Sequence, residues 1–454
     1  MPRLVAVSNR VAPIQEGEPT AGGLAAGVFD ALKQQGGIWV GWSGEIAGAS
    51  RPNAPQTVGP ITLYTIDLAR KDYDEFYRGF ANATLWPTLH DQIGLALFDW
   101  HEFAGYHRVN ELFARTVSQV IRSDDLIWAH DYHLLCFAEA LRAAGVTNRI
   151  GLFLHTPFPA PSVFMTIPSH AELIRAMCAF DLLGFQTETD RTAFNDYVVR
   201  QAGGKRGPHG ALHAFGRSLK TGVFPIGVDV DDVRAQAEDT ANRRTATRLR
   251  ASLHERLILS VDRLDYSKGL RQRFTAFERF LEDYPRRRGN VTFMQIAPPS
   301  RSDVQTYREI RRELEGEAGR INGRFADVDW VPLRYLNRGF PRNVLMPLYA
   351  EADVGLVTPL RDGMNLVAKE YVAAQDPDDP GVLVLSQFAG AAVELEAALL
   401  VNPYDQAGVA AALDRALSMS LEERRERHGA MLRVMHVHSL ERWRDRFEAE
   451  LRTP

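Results

Sequence analysis

Short apolar runs without charge recur along the chain, and nearly every one stops at a polar or titratable cluster. Leu4-Val5-Ala6-Val7-Ser8 is the first. After a polar loop, Gly22-Gly23 leads into a stretch with Leu24, Val28, Phe29 and Leu32 at helical spacing, closed by Gly36-Gly37. Leu126-Ile127-Trp128-Ala129 stops at His130-Asp131-Tyr132-His133, and residues 150–154 stop at His155-Thr156-Pro157-Phe158-Pro159. Residues 182–185 follow the same habit. Beyond about residue 228 the alternation restarts: residues 257–261 run into 262–269, 291–297 into 298–301, 354–357 into 358–364, and 382–385 into 386–392. Runs this short and apolar predict strands buried on both faces, and their alternation with helical patterns predicts parallel sheets. The expected architecture is α/β, two doubly wound domains facing across a deep cleft. Their boundaries are placed at 1–232 and 233–454, with the polar stretch 229–242 as linker. Residues 421–451, charge-rich with Leu432, Met435 and Trp443 at loose helical spacing, read as surface helices. Whether the last helices pack back on the N-terminal domain is left open.

The stretch 354–370 concentrates the chemistry. An uncharged strand meets a Pro and an Asp-Gly turn, and Asn365 is placed to cap a helix beginning Leu366-Val367-Ala368. Open α/β sheets hold ligands outside the carboxyl ends of their strands, with helix N-terminal N–H groups facing an anion. Asp362 on the turn and Glu370 on the first helical turn add two acceptors, which suits a ligand carrying both phosphate and hydroxyl groups. A nucleotide sugar is such a ligand.

Charge and composition narrow the partners. At 454 residues with 45% hydrophobic and 24% charged residues, the chain suits two ordinary globular domains. A net charge of −4 points to neither nucleic acid nor a membrane surface. Cys136 and Cys178 lack a CxxC spacing and read as buried reduced thiols. Neither a leader pattern nor a membrane-length apolar run is present, so a cytoplasmic location is expected.

Arg263 and Lys268 lie just past an apolar run and could hold a diphosphate from two sides, Arg by a planar fork and Lys as a point charge. Ser8-Asn9-Arg10 ends the first strand beside the Gly22-Gly23 pair, where backbone can approach a phosphate or sugar closely. Tyr77 and Trp86 sit in an aromatic-rich stretch without an amphipathic period, which reads as core or as a platform for a sugar. His130, Asp131, His133 and His155 match no common zinc spacing, and a strand-end Asp serves equally well to bind hydroxyls. No Gly-x-Ser-x-Gly elbow is present.

With these residues in place, the chain resembles the trehalose-6-phosphate synthases, retaining glycosyltransferases of family 20 with the GT-B arrangement of two Rossmann-like domains. The matching stretches run from Leu4 to about Leu451. They are Val7-Ser8-Asn9-Arg10, Ala21-Gly22-Gly23-Leu24, Leu85-Trp86-Pro87, His130-Asp131-Tyr132-His133-Leu134, His155-Thr156-Pro157-Phe158-Pro159, Gly184-Phe185-Gln186-Thr187, the stretch from Arg263 to Gly269, and that from Arg361 to Glu370. The resemblance implies transfer of glucose from a nucleotide-diphosphate glucose, with UDP-glucose as the expected donor, to glucose 6-phosphate. It assigns the acceptor to the N-terminal domain and the nucleotide sugar to the C-terminal one. It also implies that Arg263 and Lys268 hold the donor diphosphate, Glu370 the ribose, and Asp362 and His155 the transferred glucose. Main chain at Gly22, Gly23, Phe340, Leu366, Val367, Ala368, Lys369 and Glu370 would complete the donor pocket. Arg10, Tyr77 and Arg301 would take the acceptor phosphate, with Trp86 and Asp131 orienting its sugar.

No stretch advertises the pair of carboxylates that double displacement would need, and the resemblance implies front-face transfer instead, in which the departing phosphate oxygen takes the proton of the incoming hydroxyl. Domain closure that excludes water is expected, with no cofactor and no metal. The family further implies a homo-oligomer, dimer or tetramer, and a separate phosphatase for the product, since no phosphatase domain follows residue 454. Thr156 stands where many relatives carry an apolar residue. The donor base is not readable, because loop contacts choose it. Two rivals are a pseudo-glycosyltransferase on cyclitol substrates and a non-catalytic sugar-phosphate sensor. Intact Arg10, Tyr77, Trp86 and Asp362 weigh against the first, and intact Arg263, Lys268, Asp362 and Glu370 against the second.

Overall fold

The computed structural model describes residues 3–11, 24–251, 256–300 and 305–453. Gly22, Gly23 and Arg301, named above as ligand contacts, lie outside the described residues. The chain forms two compact units, Met1–Pro225 with Glu441–Pro454, and Ile226–Leu440.

The first unit is built on a parallel sheet in the order Ile61–Ala69, Gly37–Ala47, Leu4–Arg10, Leu126–His130, Ile150–Phe153, Leu182–Phe185, Arg217–Val223. Short antiparallel pieces flank both edges. From Leu4–Arg10 the chain winds outward in one direction, then returns to start again beside it at Leu126–His130. That reversal opens a crevice at the carboxyl ends of these two strands, where Arg10 and His130-Asp131 stand.

The second unit repeats the logic with an all-parallel order Leu333–Leu336, Val291–Ile296, Arg256–Val261, Val354–Val357, Val382–Ser386, Leu399–Val401. Its reversal falls between Arg256–Val261 and Val354–Val357. The loops leaving those two strands carry Arg263, Lys268 and Asp362. Central strands are buried along their whole length, which is why they read as uncharged runs.

Two sequence expectations need correction. Residues 229–242 are not an open linker: Asp229 caps a helix at Val230–Glu238, which buries Val233 and Ala237 with Val230, and Thr240–Ala251 is helical too. The C-terminal stretch is not only surface either. Helix Leu440–Arg452 buries Trp443, Phe447 and Leu451, one residue every four, and the Phe447 ring stacks on Trp128 at 4.5 Å and 9°. Gly151 admits that ring, since a Cβ there would sit 2.9 Å from it.

The aromatic stretch forms an unusual helix, Tyr73–Leu85, wound with i→i+5 hydrogen bonding. Its large buried apolar side chains, Phe76, Phe80 and Leu85, are spaced by four and five. Cys136 and Cys178 are free and buried, and burial pushes the Cys178 thiol up to about 12. Among the described residues no helix is long and apolar enough to cross a membrane.

Candidate active site

In the first unit, a run of rings starts from Arg10 at the switch point. The Arg10 guanidinium lies 5.6 Å over Trp42, and Trp42 leans on Tyr73 and Tyr77 at 5.5 and 5.7 Å. Tyr77 in turn stacks on His133 at 5.9 Å and 11°. Arg10 and Tyr77, far apart in sequence, are thus brought together through Trp42, which sequence reading missed. Trp86 is buried against His90, 4.0 Å away, and Tyr132 at 5.5 Å. The Tyr132 hydroxyl donates to Asn82 Oδ1 at 2.8 Å, tying that cluster back to the aromatic helix.

Asp131 departs from the strand with φ 74°, a conformation rare for residues with side chains. Its Oδ1 accepts the backbone N–H groups of His155 and Thr156 at 3.2 and 3.3 Å. The carboxylate therefore shapes the loop leaving the neighbouring strand. Thr156 is buried, and its hydroxyl has no hydrogen-bond partner among the described residues. His130 Nδ1 meets His155 Nε2 at 3.3 Å, while His133 faces Tyr77. The histidines are therefore turned to different neighbours, and no group of three or more metal-binding side chains occurs among the described residues. Burial pulls the His155 imidazole down to about 3, so it is neutral near pH 7 and suited to a hydroxyl more than to a phosphate.

In the second unit, Lys268 Nζ and Asp362 Oδ2 are ion-paired at 2.5 Å, and Asn365 Nδ2 donates to the same oxygen at 3.0 Å. Asn365 also accepts the N–H of Ala368 at 3.3 Å, as a cap should, so the helix starts at Leu366 and ends at Ala374. Glu370 falls one turn further along than expected. It pairs with Arg342 at 2.5 Å, a partner that sequence reading missed. Burial raises its carboxyl while Arg342 opposes that rise. Lys369 is buried and paired with Glu394, and it donates to Ile226 O at 2.7 Å. Its side chain is therefore structural, and only its main chain is available to a ligand. Arg263 is exposed at the strand end, and Phe340 stacks under the Arg338 guanidinium at 4.6 Å.

The Asp362 turn is held from two sides. Leu360 N–H donates to Ser267 O at 2.7 Å, joining it to the Lys268 loop. Asp362 N–H donates to Phe388 O at 3.1 Å, Gly390 N–H to Asp362 O at 3.2 Å, and Ala391 N–H to Met364 O at 2.8 Å. The backbones are so close that a Cβ on Gly390 would lie 1.8 Å from Gly363 O. Gly390→Ala is expected to displace this turn and lower stability by about 1–3 kcal/mol, the range for overpacking. Thermal unfolding reads it, and an unchanged Tm would show that the turn yields freely.

Residues 7–453 match the family model for Glycosyltransferase family 20. The chain belongs to glycosyltransferase family 20. A trehalose-6-phosphate synthase from Enterobacter sp. (strain 638) is 52% identical over 452 residues, covering 100% of this chain and 95% of that protein. The UDP-forming α,α-trehalose-phosphate synthase from Burkholderia xenovorans, solved in complex with glucose-6-phosphate, is 55% identical with a TM-score of 0.95, covering 99% of this chain and 100% of its own. An E. coli structure bound with UDP-2-fluoro glucose is 49% identical, again with a TM-score of 0.95, covering 100% and 99%. As a family member the protein is a glycosyltransferase, and Arg10, Asp131, Arg263, Lys268 and Asp362 stand at or beside the strand ends where its two sheets reverse.

Proposed function

We propose that the protein transfers glucose from UDP-glucose to the anomeric hydroxyl of glucose 6-phosphate, with retention, giving α,α-trehalose 6-phosphate and UDP. The carrying observation is 52% identity across the whole chain to a trehalose-6-phosphate synthase, with Arg263, Lys268, Asp362 and Glu370 all in place. Neighbours at half identity hold glucose 6-phosphate in one case and a UDP-glucose analogue in the other. In this reading Arg263 and Lys268 take the diphosphate, Glu370 the ribose, and Asp362 and His155 the transferred glucose. Phe340 and the main chain from Leu366 to Glu370 complete the donor contacts, with Gly22 and Gly23. Arg10, Tyr77 and Arg301 take the acceptor phosphate, and Trp86 and Asp131 its sugar. Asp362 in an ion pair with Lys268 is suited to hydroxyl recognition and poorly suited to nucleophilic attack, which favours front-face transfer. The reaction needs no metal, since cationic side chains and the capped helix end neutralise the leaving phosphate. We assign it to the cytoplasm, in a homo-oligomer, with the product passed to a separate phosphatase.

The testing experiment gives purified protein UDP-, GDP- or ADP-glucose with and without glucose 6-phosphate, in the presence of chelator. UDP release that depends on glucose 6-phosphate and survives chelation is expected. Absence of release with every donor, despite binding of glucose 6-phosphate, would favour a sensor.

A further inference from the structure

The pair His130–His155 raises a question that the donor and acceptor contacts do not answer: which ring nitrogen carries the proton. His130 is wholly buried, its Nδ1 faces His155 Nε2 at 3.3 Å, and its Nε2 has no hydrogen-bond partner among the described residues. Burial holds both imidazoles neutral, so each ring carries one N–H. One of the two facing nitrogens must be the donor. If His155 Nε2–H donated, the His130 proton would sit on Nε2, a buried N–H with no acceptor. If His130 Nδ1–H donates, its Nε2 is a bare acceptor. Unsatisfied buried acceptors are tolerated more often than orphaned N–H groups. The surrounding rings agree. Trp128 at 4.7 Å and Trp443 at 6.4 Å each carry a buried indole N–H without a partner among the described residues, so these two rings offer donors and no acceptor.

We propose that His130 is a positioning residue: by donating its Nδ1–H to His155 Nε2 it fixes His155 as the Nδ1–H tautomer, presenting a hydrogen-bond donor to a sugar oxygen. The sugar contact rests on the proposed role of His155 in holding the transferred glucose; the tautomer does not. A donor at this place recognises a hydroxyl oxygen and would leave a buried N–H unpaired with a sugar lacking it, which makes the pair a device for substrate discrimination as well as orientation.

The test compares His130→Asn, whose amide N–H₂ stands where Nδ1–H stood, with His130→Leu, which has no donor. Nitrogen NMR on histidine-labelled protein distinguishes the protonated from the bare ring nitrogen of His155, assigned by its loss in His155→Gln. The expected spectrum shows His155 Nδ1 protonated in wild type and His130→Asn, and tautomer averaging in His130→Leu. Turnover is expected to fall about 10–100-fold in His130→Leu, by analogy with outer hydrogen-bond partners that orient metal-bound histidines, and to be largely restored in His130→Asn. A wild-type spectrum with His155 Nε2 protonated overturns the proposal. So does an unchanged His155 spectrum in His130→Leu, or an equal loss of turnover in both variants, which would mark packing alone. Full turnover in His155→Ala would overturn the sugar contact while the spectrum still decides the tautomer.

Discussion

Replacing Arg273 by methionine is expected to destabilise the protein by about 3–5 kcal/mol, the penalty for stranding one member of a buried ion pair. Arg273 is 1% exposed and sits on the helix Leu270–Asp283, with Asp262 opposite at 2.9 Å. Its Nε donates to Thr358 Oγ1 at 3.0 Å, Nη1 to Gln295 Oε1 at 2.9 Å and to Ser260, and Nη2 to Lys268 O at 3.0 Å. One guanidinium thus ties the strand Arg256–Val261, the loop carrying Lys268 and the loop after Val354–Val357. Methionine fills the volume and supplies none of these donors. Asp262, whose carboxyl burial already raises against the pull of Arg273, would lose the cation that opposes that rise. The Tm should drop by roughly 6–20 °C at the usual 2–4 °C per kcal/mol for a unit of this size. Asp262→Asn in the same chain should recover part of the loss, because the stranded group is then neutral. A wild-type Tm in Arg273→Met would show that water or a rearranged Lys268 satisfies Asp262.

Arg273 also marks where sequence reading stops. It lies on the apolar face with Leu270, Phe274 and Phe277, and a charge on such a face indicates a buried partner. Which partner cannot be read, because Asp262 is brought to it only by the strand-loop-helix path between them. The parallel strands were legible for a physical reason: buried on both faces, residues such as 354–357 and 382–386 tolerate no charge. Gly37–Ala47 and Ile61–Ala69 escaped notice because one contains Ser43 and Glu45 and the other alternates between buried and half-buried positions. The wide turns of the Tyr73–Leu85 helix were not legible, because an aromatic-rich run carries no mark of i→i+5 hydrogen bonding. Residues 229–242 read as linker because Val230, Val233 and Ala237 are few among many charges. Loop residues at strand ends, Arg10, Asp131, Arg263 and Asp362, were legible from position alone. Trp42, which meets Arg10, and Arg342, which pairs with Glu370, were not, since each arrives from a distant element.

Arg263→Ala is expected to lower kcat by at least about a hundredfold, as loss of one strong electrostatic donor does, with the fold unchanged. Arg263 is exposed at the end of the strand Arg256–Val261 and is absent from the core, so its removal should shift stability by no more than about 0.5 kcal/mol. That separation makes the kinetic result interpretable. As the glycosidic bond breaks, charge grows on the diphosphate, and a cation that meets it there lowers the barrier more than it tightens ground-state binding. The loss should therefore fall on kcat and on kcat/KM together. If Arg263 only bound the donor, KM for UDP-glucose would rise while kcat held. Arg263→Lys separates charge from shape: an ammonium keeps the charge and gives up the planar fork, so it should recover some but not all of the rate. Full recovery by lysine would reduce the role of Arg263 to net charge, and kcat unchanged in Arg263→Ala would leave Lys268, held against Asp362, as the side chain that meets the leaving phosphate.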